Sequence, residues 1–279
     1  MRRRIWLGIG VSLTVPLGIA ASAGTAEPTV ADAATLRPPT EPLREARADA
    51  AEGGEFGEGG ETGIDPERAR HDPLAFLTAL AVIEAHYVAG LAAYEAGLQG
   101  AAAQLFAHPI AEILVDLEPV LAERGVPDLG PAMERAATLA GRGAAIDAVR
   151  AAAEEVRSTL QEAARRAPET SLSATALQAR LVAELLQRTA RQYYRFDRVQ
   201  PDLEGWLDAL GFFRVAKARA ERAAAAIAAG DPELDAAIRR AIARIEPAFL
   251  GVEPPSERLP VALLLAEARR VERAAARLR

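Results

Sequence analysis

Phe76-Leu77-Thr78-Ala79-Leu80-Ala81-Val82-Ile83-Glu84-Ala85-His86-Tyr87-Val88-Ala89-Gly90-Leu91-Ala92-Ala93-Tyr94-Glu95-Ala96-Gly97-Leu98 decides the fold class. Its large apolar residues, Phe76, Leu80, Ile83, Tyr87, Leu91, Tyr94 and Leu98, recur every three or four positions. That repeat puts them on one face of an α-helix. The same step runs through Ile110, Ile113, Leu117 and Val120, through Ile146, Val149, Ala153, Val156 and Leu160, and through Leu203, Trp206, Leu210 and Phe213. β-Branched residues are sparse and alanine is abundant, a composition that favours helices over strands.

The punctuation is helical too. His108-Pro109, Gln200-Pro201 and Asp231-Pro232 put proline at a first helical position, the last with an aspartate cap. Asp128 and Ser256 read as further caps. Gly125, Gly143, Gly230 and Gly251 stand where helices should end, and Pro247 should end or kink the helix before it. The expected helices are 73–99, 101–107 running into 109–124, 128–141, 144–166, 172–197, 201–229, 232–246 and 257–278. Short connections between them predict an all-α, up-and-down bundle of about eight helices. The stretch from Gly125 to Ala136 parallels that from Gly230 to Ala241 at an offset of 105, so two four-helix repeats, 71–168 and 169–279, are one organisation the bundle allows.

Arg2-Arg3-Arg4, the apolar run Ile5–Ala20 and the small residues Ala21–Ala26 make a charged region, a hydrophobic region and a cleavage site. Residues 1–26 therefore read as a secretory signal peptide, cut after Ala23 or after Ala26, with the Sec and twin-arginine routes both compatible. The expected location is periplasmic or secreted. Residues 27–70 carry five prolines and the run Gly53-Gly54-Glu55-Phe56-Gly57-Glu58-Gly59-Gly60, with few large apolar side chains, and read as a disordered linker. The helical bundle is expected over 71–279. No later apolar run is free of charge over a full span, since Phe76–Leu98 contains Glu84, His86 and Glu95. The expectation is no membrane span after signal cleavage.

Composition excludes much chemistry. The 279 residues contain no cysteine, which removes disulfides, thiolate metal sites and cysteine nucleophiles. Histidine occurs only at 71, 86 and 108, and Lys217 is the single lysine. No phosphate loop, dinucleotide fingerprint, nucleophile elbow or HExxH zinc motif is present, so no catalytic residue is assigned and no enzyme is expected. Removing Arg2, Arg3 and Arg4 with the signal takes the formal net charge from −6 to −9. Such a chain repels phosphate backbones, so nucleic acid is not an expected partner and cations are.

The chemistry-bearing residues concentrate between Glu84 and Glu118. His108 and Glu112 are four apart, one helical turn, and Asp116 continues that row. His86 lies on the preceding helix beside Ile83 and Tyr87. Two imidazoles and a carboxylate suit a divalent transition metal such as iron, copper or zinc, and manganese also fits. His86, His108 and Glu112 are the candidate metal ligands, with Tyr193, Tyr194, Glu204 and Asp208 as a completion from the second half. The competing reading makes His108 a helix-start residue before Pro109 and His86 a core histidine with a hydrogen-bond partner.

His86, Gly90, Tyr94 and Gly97, followed by His108-Pro109, Glu112 and Leu117, resemble a pattern in uncharacterised exported bacterial all-helical proteins. The stretch is also similar to the extracytoplasmic helical segments that accompany high-affinity iron permeases. The likeness covers residues 74–124. It implies metal or iron handling outside the cytoplasm. Leu105 stands where members of that group carry a further histidine, and the G-x-H-x-x-E motif of imelysins is absent. Two functions follow as expectations: an exported accessory that binds a transition metal, or a structural module that docks a partner protein of the cell envelope.

Overall fold

Asp72 starts the central helix. Its carboxylate accepts the backbone N–H of Leu74 at 2.8 Å, and Pro73 follows at the first helical position, where its missing N–H costs nothing. The computed structural model of the chain describes residues 63–198 and 203–279, and among these there is no strand. The signal peptide, most of the expected linker and the Gln200-Pro201 helix start lie outside them.

The helices are α1 (Pro66–His71), α2 (Pro73–Glu95), α3 (Gln99–Pro109), α4 (Val115–Glu123), α5 (Gly130–Gly141), α6 (Ile146–Ala164), α7 (Ala174–Arg198), α8 (Leu203–Gly230), α9 (Pro232–Ile245) and α10 (Val261–Ala275). A π-turn, Ile110–Leu114, joins α3 to α4, and a 3-10 turn, Glu246–Ala248, ends α9 at Pro247. The all-α bundle expected from the periodicity is the observed fold.

The helices close into two rings of four. In the first, α2 packs on α3, α3 on α5, α5 on α6 and α6 back on α2. In the second, α7 packs on α8, α8 on α9, α9 on α10 and α10 back on α7. The rings meet along α2 and α8, with α7 adding to the seam. The same packing order therefore recurs in the two expected halves. α2 belongs to both surfaces, which is why it is apolar on nearly every side and mostly buried between Pro73 and Tyr94. It is the one described helix long and apolar enough to cross a membrane, and most of it is buried against protein.

Three sequence expectations shift. Residues 63–70 are folded rather than linker. Asp65 caps α1 through the Arg68 N–H at 3.0 Å, Ala69 is fully buried, and Arg124 Nη2 donates to the Arg70 carbonyl at 2.7 Å. The last helix starts at Val261, not 257: Pro260 holds Leu259 extended, and the Leu259 carbonyl accepts Tyr193 Oη–H at 3.0 Å. The first long helix ends at Glu95 because Gly97 takes a left-handed φ of 83° and turns the chain into α3.

Candidate functional site

His86 sits on α2 where the two rings meet, and it is buried. Its Nδ1 lies 2.8 Å from the carbonyl of Val82, one turn back. A carbonyl only accepts, so Nδ1 carries the hydrogen and Nε2 of the neutral ring presents a lone pair. Burial lowers the His86 pKa below its ordinary value and keeps that lone pair free. The backbone contact to Val82 opposes this, nearby His108 adds to it, and Glu112 and Glu204 oppose it.

Asp208 of α8 faces that lone pair. Its Oδ1 is 3.6 Å from His86 Nε2, and both side chains are more than nine-tenths buried. Oδ1 has no hydrogen-bond partner among the described residues. Burial, then the charge of Glu204, pushes the Asp208 pKa up to about 7. His108 and Arg195 pull it down, and Glu112 pushes it further up.

An outer pair lies beside this inner one. His108 Nδ1 is 3.5 Å from Glu204 Oε1, and Glu204 stands one turn before Asp208 on α8. His108 is partly exposed and Glu204 more so. Glu112 is exposed on the π-turn, with a field that reaches both His86 and Asp208. Asp116 and Glu118 are exposed on α4.

His108 is not a helix-start residue. It lies in the last turn of α3, and the chain stays helical through Pro109 into the π-turn. Pro109 has no N–H for the Leu105 carbonyl, and the following turn widens to an i to i+5 pattern. Glu112 lies on this widened turn and Asp116 in the first turn of α4 beyond it.

Two glycines set the approach. A Cβ on Gly211 would stand 2.4 Å from the Ala85 carbonyl oxygen, so α8 touches the α2 backbone one residue from His86 and three from Asp208. A Cβ on Gly90 would meet the Phe106 ring at 2.7 Å, which seats α3 against α2 two residues before His108. Tyr87 fills the same seam, its ring 5.0 Å from Phe106.

The structure thus brings His86 and His108 to one region, and adds Glu204 and Asp208 from the second ring. It excludes Tyr193, which is buried among Phe196, Trp206 and Phe249 and donates to the Leu259 carbonyl. Tyr194 is exposed under Arg198. His71 is an exposed residue beside Glu67. As placed, the residues form two pairs: among the described residues no three histidine or carboxylate side chains stand close enough to share one ion. Sequence reasoning missed Gly211, whose signal is a glycine inside an apolar helical run. No family model, curated protein or solved structure matches the chain.

Proposed function

We propose that this protein binds a divalent transition metal between its two four-helix rings. His86 and Asp208 are the inner donors, and His108, Glu204 and Glu112 are the outer ones. One observation carries the reading: the His86 Nε2 lone pair faces a buried Asp208 oxygen that no hydrogen bond among the described residues satisfies. Two acceptors held together in a buried seam need a cation or a proton between them. Their 3.6 Å separation suits one ion, since donors about 2.1 Å from a tetrahedral metal stand roughly 3.4 Å apart. The Nδ1 contact to Val82 is the arrangement that orients metal-binding histidines. His108, Glu204 and Glu112 keep solvent access, so their side chains can turn towards an ion that the inner pair has captured.

In this reading the protein is an exported, non-catalytic metal-handling accessory, working in the periplasm or outside the cell. The Arg2–Ala26 pattern and the likeness to iron-permease-associated segments support the location. Equilibrium dialysis of the full chain against iron(II), copper(II), zinc and manganese tests the site. One ion per chain should bind with Kd below about 10⁻⁴ M, the weak end of biological cation sites. Failure of all four to bind that tightly overturns the reading.

A further inference from the structure

Glu84 precedes His86 by two positions on α2, so the two side chains leave the helix on different sides. Glu84 forms the floor of a groove between α6 of the first ring and α8 of the second. The groove has two parts, of about 420 and 390 Å³, that share Glu84 and Arg222 in their walls. From Leu80 to Glu95 it follows sixteen residues of α2, about 22 Å. Each part is of a size that takes a small ligand.

The walls are cationic although the chain is acidic. Arg157, Arg165, Arg214, Arg219 and Arg222 line the groove against two acids, Glu84 and Glu95. Both acids are already engaged. Glu84 accepts Arg219 Nη2 at 2.6 Å and lies 3.9 Å from Arg157 Nη2, while Glu95 accepts Arg150 Nη2 at 2.9 Å. Among the described residues no carboxylate lies within ion-pair distance of Arg214 or Arg222. The Nε–H groups of Arg157 and Arg219 are buried and have no acceptor among the described residues. An orphaned buried donor on a cation is costly, and it marks a place where an anionic acceptor would be held strongly. Burial also lowers the Arg214 pKa, the cost of a guanidinium with only Glu95 nearby to offset it.

The rest of the lining is mainly apolar, with Gln161, Thr175 and Gln178 as its neutral polar side chains. Leu80, Leu160 and Ala223 flank one part, and Val88, Leu91 and Val215 the other. A headgroup alone would leave these surfaces wet.

We infer that the groove between α6 and α8 binds an amphiphilic organic anion. Its oxyanion head sits among Arg214, Arg219 and Arg222 and its aliphatic body lies along α2. Guanidinium forks accept carboxylate and phosphate alike, so the head is an oxyanion of either kind. The site is separate from the histidine cluster and does not rest on metal binding.

Calorimetric titration of the full chain in the presence of a chelator tests it, with probes below their micellar concentrations. Octanoate and octyl phosphate represent the two headgroups, inorganic phosphate the head without a body, octanol the body without charge, and octylamine the opposite charge. At least one octyl anion should bind with submillimolar affinity, and octanol, octylamine and inorganic phosphate at least about tenfold more weakly. The ratio of the two octyl anions tells carboxylate from phosphate. The double substitution Arg214→Gln with Arg222→Gln should weaken the anion about tenfold and leave the melting temperature nearly unchanged, since neither residue has an ion-pair partner to lose. Glu84→Gln should tighten binding, because it releases Arg219, while Arg157 stays paired with Glu154 at 2.8 Å. His86→Ala should leave the affinity alone. Octanol binding as well as the octyl anions overturns the inference. So does anion affinity untouched by the double substitution, or weakened by Glu84→Gln.

Discussion

Gly211 of α8 lies against Ala85 of α2 so closely that an added Cβ would stand 2.4 Å from the Ala85 carbonyl oxygen and 3.1 Å from Ala89 Cβ. No side chain at 211 is compatible with that distance, and the obstacle is backbone, which cannot rotate away. This contact fixes the spacing of the two rings at the level where Asp208 meets His86.

Gly211→Ala should push α8 off α2 and destabilise the fold by about 1–3 kcal/mol, as other overpacked core substitutions do. At roughly 2–4 °C per kcal/mol for a domain of this size, the melting temperature should fall measurably. Gly100→Ala is the control. Gly100 sits in α3 with nothing within 4 Å of an added Cβ, so alanine there should be neutral or slightly stabilising. Equal melting temperatures for the two variants would mean that the rings tolerate a wider seam.

α1 should contribute to stability despite its six residues. Ala69 is fully buried, the Arg70 carbonyl holds Arg124, and Arg70 pairs with Glu123. A chain starting at Asp72 should be about 1–3 kcal/mol less stable than one starting at Gly63 by urea unfolding. Coincident unfolding curves would show that α1 adds nothing beyond its own order.

The bundle was legible because its signals are local. The three-to-four spacing in Phe76–Leu98, the Asp231 cap and the stop at Pro247 each act within a turn or two of the chain. The parallel stretches Gly125–Ala136 and Gly230–Ala241 lead into the third helix of each ring, α5 and α9. At that offset Met133 and Ile238 are both buried, whereas partly exposed His108 corresponds to Phe213 in the aromatic core. The cluster was legible only in part. His86 and His108 stand out because histidine is scarce, yet their partners come from α8, more than ninety residues beyond His108. Glu204 and Asp208 carried one hint, their one-turn spacing. The π-turn gave none, since Pro109 before a helix and Pro109 inside one look the same in sequence. α1 was hidden inside a proline- and glycine-rich stretch whose composition outweighed a single capped turn.

The ligands should not be equal. His86 and Asp208 are buried, while His108, Glu204 and Glu112 keep solvent access at the rim. His86→Ala should abolish metal uptake in equilibrium dialysis, and His108→Ala or Glu204→Gln should weaken it about 10- to 100-fold, with the helical circular dichroism unchanged. Uptake that survives His86→Ala together with His108→Ala would assign the ions to surface carboxylates.

Asp208 gives the chelator-treated protein a definite pH signature. Its folded pKa, about 7, lies above the ordinary carboxylate value of 3.8. Between those values the folded state keeps a proton that the unfolded state releases, so stability falls as pH rises from about 4 to about 7 and then levels off. Asp208→Asn lacks this loss. The variant should gain on the parent across that window, by at most roughly 4 kcal/mol at pH 8, taking 1.36 kcal/mol per pKa unit. The two should converge near pH 4. His86 works in the opposite sense: its lowered pKa favours folding above about pH 6.5, and that contribution is lost as pH falls through the folded value. Saturating zinc should reverse the order at pH 8, because the metal needs the Asp208 carboxylate that the variant lacks. Urea midpoints from pH 4 to 8.5, with chelator and with zinc, measure both effects. A difference that stays flat with pH in chelator would mean that Asp208 is ionised and partnered in the folded state, and the unsatisfied oxygen facing His86 would no longer support a cation site.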